Sequence, residues 1–337
     1  MARWGRWSVG AALLLTMVLG LAACGGNSGS SAETAGAGNT GKGQTNAAPE
    51  STAGNTQGEN ATRTVVDEFG EVVVPAHPQR VAAIYLEDYL TALGVTPVVQ
   101  WYHPNWGKQD YLKLTAPQFD ITGSLEQLLD INPDLIIVDG AVDAAQYELY
   151  SKIAPTYRLK EEILQDSTAI LRAVADVMNM PEQAEAVLAE YEQKVAEGKA
   201  KLEQAVGKEK VAVLRLNVAD KSIALFGVKN RLTGLIYSQF GLEPVPMAAE
   251  MSEFQVLLSE EVVPDLEAEH IIVFPANGTW EDPENQQALK QLEGPLWKNI
   301  PAIQNGKVYK IERSHWQSGA ITANSMKLDD LLKSMVK

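Results

Sequence analysis

The sequence predicts an α/β protein of two lobes joined by a single long helix, and three observations carry that expectation. Strand-length apolar runs alternate with helical patterns at the spacing of strand–helix–strand units. The alternation breaks at one long helical stretch, Pro181–Val206, and restarts beyond it. One unit is also written twice: residues 124–140 read SLEQLLDINPDLIIVDG and residues 259–274 read SEEVVPDLEAEHIIVF. Each copy reads as a short helix opening on serine, a turn region with proline, and a strand built on Ile-Ile-Val. Ten residues separate Glu126 from Ile136, and ten separate Glu261 from Ile271. A lone acid there is a favourable first-turn charge, and Ser124 with Gln127 has the spacing of a capping box. Two acids at matched places in two lobes point to a shared role.

The chain has 337 residues, 45% hydrophobic and 21% charged, which suffices for two domains with a sizeable core. Residues 1–23 place Arg3 and Arg6 ahead of an apolar run, 9–21, too short for a comfortable membrane span and positioned as a secretory signal. Small residues, Ala22 and Ala23, precede Cys24, the only cysteine of the protein. That ending resembles the lipobox of bacterial lipoproteins, which implies that Cys24 is lipidated and becomes the mature N-terminus, on the outer side of the cell membrane. With no second cysteine the folded part has no disulfide and no catalytic thiol. Losing residues 1–23 removes two arginines and no acids, so the formal charge moves from −15 to −17. Such acidity argues against nucleic acid and leaves a basic protein partner open.

Residues 25–62 are dominated by Gly, Ser, Asn, Thr, Ala and Gln, with no Val, Ile, Leu or aromatic residue. They cannot bury enough surface to fold, and as a coil would span roughly 30 to 35 Å. Residues 24–62 are therefore expected to be a tether.

Folded structure is expected from Arg63. Residues 64–74 read as a hairpin about a turn at 67–70, closed by Pro75 and Pro78. The N-lobe, 63–180, then offers a buried strand at 80–85, a helix at 86–93 stopped by Gly94, a strand at 98–101, the helix at 124–130, a strand at 134–138 and a helix at 144–153. Residues 161–180 read as a further helix. Residues 181–206 follow with Pro181 suited to a first turn and Ala184, Val187, Leu188, Tyr191, Val195 and Leu202 at helical intervals. The C-lobe, 207–337, repeats the alternation: strands at 210–216 and 223–226, a helix at 231–240 ended by Gly241, the strand at 270–274, a helix at 284–292, a strand at 307–311 and a closing helix from Asn324.

The chemistry is that of binding more than catalysis. No nucleophile elbow, phosphate-cradling P-loop or dinucleotide fingerprint is present. Only four histidines exist: His77 precedes a proline on a loop, and His270 opens a buried strand. His103 and His315 with distant carboxylates make a poor metal set. No cofactor or bare metal is expected.

Aromatic and cationic residues gather where strands end. Trp101, Tyr102, His103 and Trp106 follow one N-lobe strand; Arg313, His315 and Trp316 follow the last C-lobe strand; Arg215 ends the first. Ligands of parallel sheets bind beyond the carboxyl ends of strands, so these loops are expected to face one another across an interlobe cleft. Aromatic faces and a guanidinium fork suit a flat or chelated, partly anionic organic ligand better than a bare ion. Tyr85 and Lys108 rank behind them.

In these residues the chain resembles the substrate-binding lipoproteins of ABC importers for ferric siderophores, a family that also holds haem and cobalamin binders. The likeness runs from about Val65 to the C-terminus. It rests on Pro78-Gln79-Arg80-Val81, on Leu93-Gly94-Val95, on the two repeated units, and on residues 294–303 (GPLWKNIPAI) followed by 305–309 (NGKVY). The resemblance implies the class III periplasmic-binding-protein fold and an iron chelate as ligand, with Arg215 the best-matched contact. It also implies that Glu126 and Glu261 dock onto arginines of a dimeric permease. A haem or cobalamin receptor is the alternative within the fold, with His103, His315 or Tyr102 as axial candidates for haem; a tethered hydrolase is the alternative outside it.

Overall fold

The computed structural model describes residues 61–336. The expected signal segment, Cys24 and all but the end of the expected tether lie outside the described residues.

The predicted hairpin is formed by β1 (Thr62–Val66) and β2 (Glu71–Pro75), paired antiparallel, so regular structure begins one residue before Arg63. Asp67 closes its turn, accepting the N–H groups of Phe69 at 2.7 Å and Gly70 at 3.0 Å.

The N-lobe continues with β3 (Val81–Ile84), α1 (Glu87–Ala92), β4 (Gln100–His103), β5 (Gly107–Lys108), β6 (Gln118–Asp120), α2 (Glu126–Ile131), β7 (Leu135–Val138), α3 (Ala144–Ser151), β8 (Thr156–Arg158) and α4 (Ser167–Val177). Strands β3, β7 and β8 run parallel in that order, and β4 lies between β5 and parallel β6. Every residue of β3 and β7 is buried, as strands covered on both faces require. Gly94 takes φ +80° just after α1, a turn a side chain would strain.

Three local expectations give way to side-chain chemistry. Residues 161–180 are a 3₁₀ turn (Glu161–Ile163) and then α4, because Asp166 starts a fresh helix by accepting the N–H groups of Thr168 and Ala169 at 2.9 and 3.1 Å. The capping box at Ser124 is not made: Ser124 Oγ accepts from Glu126 N–H at 3.1 Å, while Gln127 donates to the Gln118 carbonyl at 2.5 Å. The second copy of the repeated unit has no α-helix, only a 3₁₀ turn at Val263–Asp265. Pro264 falls inside that copy, where it cannot donate a helical N–H; in the first copy Pro133 falls after α2.

From the N-lobe, α5 (Pro181–Val206) leads to β9 (Lys210–Asn217), β10 (Ser222–Phe226), α6 (Leu235–Ser238), β11 (Glu243–Pro244), α7 (Pro246–Glu250), β12 (Gln255–Leu257), β13 (His270–Pro275), α8 (Pro283–Leu289), α9 (Pro301–Gln304), β14 (Val308–Lys310), α10 (Arg313–Trp316) and α11 (Ile321–Met335). The predicted helix over 231–240 shrinks to α6, since Asn230 accepts from Leu232 and Thr233 and holds the preceding residues in turns. Gly241, at φ +78°, ends it as expected. The C-lobe sheet is mixed. Its order is β12-β10-β9-β13-β14, with β13 parallel to β9 and β14 but β10 antiparallel to both its neighbours. Four residues join β9 to β10, room for a hairpin but not for a crossover helix. His270 is a satisfied structural residue, as expected: its ring nitrogens face Tyr309 Oη at 2.9 Å and Glu209 at 2.5 Å.

The 26 residues of α5 make a rod of about 39 Å at 1.5 Å per residue. Its first half, Ala184, Leu188 and Tyr191, packs into the N-lobe core with Val81, Leu90 and Ile137. Its last turns, Leu202 and Val206, pack into the C-lobe core with Val213, Phe226 and Ile272. The closing helix was expected to belong to the C-lobe alone, yet it also spans both cores: Ile321 sits in the first, and Leu328, Leu331 and Met335 sit in the second. α11 has no side-chain cap of its own; Asp88 of α1 reaches over and accepts the N–H groups of Thr322 and Ala323 at 2.9 and 3.0 Å. One turn further on, buried Lys327 donates to the carbonyls of Leu232 and Ser318 and to Asn324 Oδ1, and burial pushes its ammonium down to about 7.

Candidate functional site

Between the lobes lies a cleft of about 1640 Å³ whose walls are the ends of strands and the loops after them. The N-lobe wall is aromatic. Tyr85 follows β3 at φ +65°, a backbone position costly for a bulky residue, and is held there by its hydroxyl, which donates to the Gln317 carbonyl at 3.0 Å. Its ring meets Trp101 edge-on at 4.9 Å. His103 then stacks on Trp106 at 4.0 Å, and its ring lies 6.3 Å from that of Trp101. Trp106 is 54% exposed at the cleft mouth.

The C-lobe wall supplies cations. Arg215, in β9, donates from Nε to Asn217 Oδ1 at 3.0 Å and lies 5.3 Å above the Phe226 ring. Among the described residues it has no carboxylate within ion-pair distance. Burial pushes its guanidinium below the ordinary value, with Asp220 opposing the shift. Arg313 is tied to backbone: it donates to the Ala276 carbonyl at 2.8 Å and, across the cleft, to the Trp106 carbonyl. Desolvation lowers its pKa as well. Asn277 joins the same bridge, donating to the Asn105 carbonyl at 3.2 Å.

The structure therefore brings Arg215, Arg313, Trp101 and Trp106 to the cleft, with Tyr85 and Lys108. Four expected contacts, Tyr102, His103, His315 and Trp316, do not line it. Residues 313–316 form a helical turn, α10, which aims Arg313 and Ser314 at the cleft and carries the next two side chains inward. Trp316 is fully buried against Phe274, its indole N–H donating to Asp330 Oδ2 at 2.9 Å. His315 Nε2 meets the same oxygen at 2.6 Å. Tyr102 alternates with Trp101 along β4 and does not line the cleft. His103 does not line the cleft either and instead stacks on Trp106. Missed were Asp139, directly after β7, and Arg231, on the stretch misread as helix; they meet across the lobes at 3.7 Å.

Beneath the aromatic wall Glu87 is buried, its Oε1 accepting the Trp101 N–H and its Oε2 without a partner. Burial pushes this carboxyl up to about 8. Among the described residues no three His, Cys, Asp or Glu side chains are grouped to hold a metal ion, and no helix is long and apolar enough to cross a membrane.

Glu126 and Glu261 are exposed on the two lobes, and among the described residues neither has an ion-pair partner. Each lies shortly downstream of a cleft-lining residue, Ile121 after β6 and Leu257 at the end of β12.

Two α/β lobes facing each other over a ligand-sized cleft, with one helix carrying the chain between them, define a solute-binding protein. The chain belongs to the periplasmic binding protein family, whose profile matches residues 88–314. It is 30% identical over 308 residues to the iron(3+)-hydroxamate-binding protein FhuD of Bacillus subtilis, covering 88% of each chain. It is 26% identical over 300 residues to the probable siderophore-binding lipoprotein YfiY of the same organism, covering 84% of this chain and 90% of that one. Among solved structures it is similar to a periplasmic binding protein component of a Fep/Fec-like ferrichrome ABC transporter from Bacillus subtilis. The TM-score is 0.67 and the identity 27%, over 81% of this chain and 100% of the other.

Proposed function

We propose that this chain captures a ferric siderophore in the interlobe cleft and delivers it to an ABC permease. The observation that carries the reading is the cleft, which sets an aromatic wall against the guanidinium of Arg215, a cation with no carboxylate partner among the described residues. A chelate of organic arms around an iron ion presents flat apolar surface to the first and oxygen atoms to the second. The hydroxamate and siderophore specificities in the relatives' names point the same way. The iron chelate is cargo; no resident cofactor is part of the reading, and the protein acts by binding, without catalysis.

The charge of the lining narrows the cargo. Lys108, Arg215, Arg231 and Arg313 stand against Asp139, Asp220, Asp282 and Glu284, an even balance. Three hydroxamates neutralise a ferric ion, whereas three catecholates leave a trianion, so an evenly charged cleft favours the hydroxamate. Glu126 and Glu261 are proposed to dock on a dimeric permease, and lipidated Cys24 with the tether to hold the protein at the outer face of the cell membrane.

The test is a titration of the purified protein with ferrichrome, ferric enterobactin, ferric citrate, haem and cobalamin, followed by tryptophan fluorescence. Trp101 and Trp106 line the cleft, so saturable quenching by ferrichrome is expected. Quenching by none of the iron chelates overturns the reading, and quenching by haem or cobalamin alone moves it to those cargoes.

A further inference from the structure

We propose that Asp139 sets the charge preference of the cleft by neutralising Arg231 at the cleft wall, an inference that rests on capture of a ferric chelate there. Each cleft cation except Arg215 is held by a carboxylate or by backbone carbonyls, whereas Arg215 meets Asn217 Oδ1 and the Phe226 ring. Lys108 lies 3.2 Å from Asp110, and Arg313 is spent on two backbone carbonyls. Arg231 faces Asp139 at 3.7 Å, its guanidinium also 5.9 Å from the Tyr85 ring centroid.

The pair is placed where its charge state matters. Both residues line the main cleft, and both also line a second interlobe cavity of about 560 Å³ behind it. Tyr85 and Leu232 share that position, so the ion pair and the Tyr85 ring form the partition between the two spaces. The Asp139 side chain is only 8% exposed, while that of Arg231 is 32% exposed. The carboxylate is thus the buried anchor, fixed by the Ala141 N–H at 3.0 Å, and the guanidinium is the half that cargo can meet. As it stands, the acid cancels the cation locally, and among the described residues an anionic chelate finds only Arg215 and Arg313 without a carboxylate partner. Without the acid, Arg231 would add its own uncancelled charge to theirs in a partly desolvated cleft, where charge is weakly screened.

The experiment measures affinity of the full chain, in detergent micelles, for ferrichrome (neutral) and ferric enterobactin (trianionic), with thermal melts to confirm folding. Wild-type protein is expected to prefer ferrichrome. Asp139→Asn keeps the side-chain shape and is expected to tighten ferric enterobactin about tenfold while ferrichrome moves less than about threefold. Arg231→Gln, which leaves the acid alone, is expected to move the ratio the other way, and the double variant to return it near the wild-type value. An unchanged ratio in both single variants overturns the proposal. So does a parallel change for both chelates, which is the mark of a mere latch between lobes. If wild-type protein binds no ferric chelate, the capture reading itself falls, a different result from an unmoved ratio in a protein that binds.

Discussion

Gly198 of α5 faces Leu328 of α11 so closely that a Cβ at position 198 would stand 2.6 Å from Leu328 Cδ2 and 2.9 Å from its Cγ. Alanine in a helix interior normally gains about 1 kcal/mol over glycine. Here the sign should reverse, because Leu328 is fully buried in the C-lobe core and has no space to retreat. Gly198→Ala is expected to lose about 1–2 kcal/mol by overpacking. A thermal melt checks it, and a raised midpoint would show that the helices can part without cost.

The exposed pair Glu126 and Glu261 should be separable from ligand capture. Replacing both by alanine leaves the cleft lining untouched and should leave affinity for the chelate within about twofold, while uptake through a reconstituted permease falls about tenfold or more. Uptake at the wild-type rate, at matched expression, would remove the docking role.

Glu87 makes stability depend on pH in a stated direction. Its carboxyl is raised to about 8 in the folded protein from an ordinary value of 4.5, so the folded state holds a proton that the unfolded state releases between those limits. Its contribution is present in full below about 4.5 and is lost as pH rises towards 8. Glu87→Gln mimics the neutral acid and should flatten that part of the profile. Denaturant midpoints of both proteins at pH 5, 6.5 and 8 decide it: parallel profiles would place the carboxyl's proton elsewhere.

The lobes, the connecting helix and the strand cores were legible because each depends on apolar spacing and on a few punctuating residues. Gly94 and Gly241 ended their helices where expected, and the Ile-Ile-Val strands lie buried in their sheets. What the sequence hid was set by single polar side chains or by chain length. Asp166 restarted a helix, Pro264 cancelled one, and a four-residue link turned β10 antiparallel. At the site, the rule that ligands meet strand ends found Arg215, Trp101 and Trp106, and applied to β7 it would also have found Asp139. It misjudged His315 and Trp316 because residues 313–316 coil into a turn, and in a coil neighbours point to different sides. Arg231 was beyond it, since its partner lies 92 positions away in the other lobe.

The waist of the molecule is crossed twice, by α5 and by α11, and the second rod is pinned to the opposite lobe by Asp88. Bending a beam of two bonded planks is far harder than bending either plank. Wide jaw-like swings are therefore ill suited to this body, and adjustment to cargo falls to the loops at the rim. Prising a tightly held load free then demands external work, delivered by whatever machine the protein sits upon.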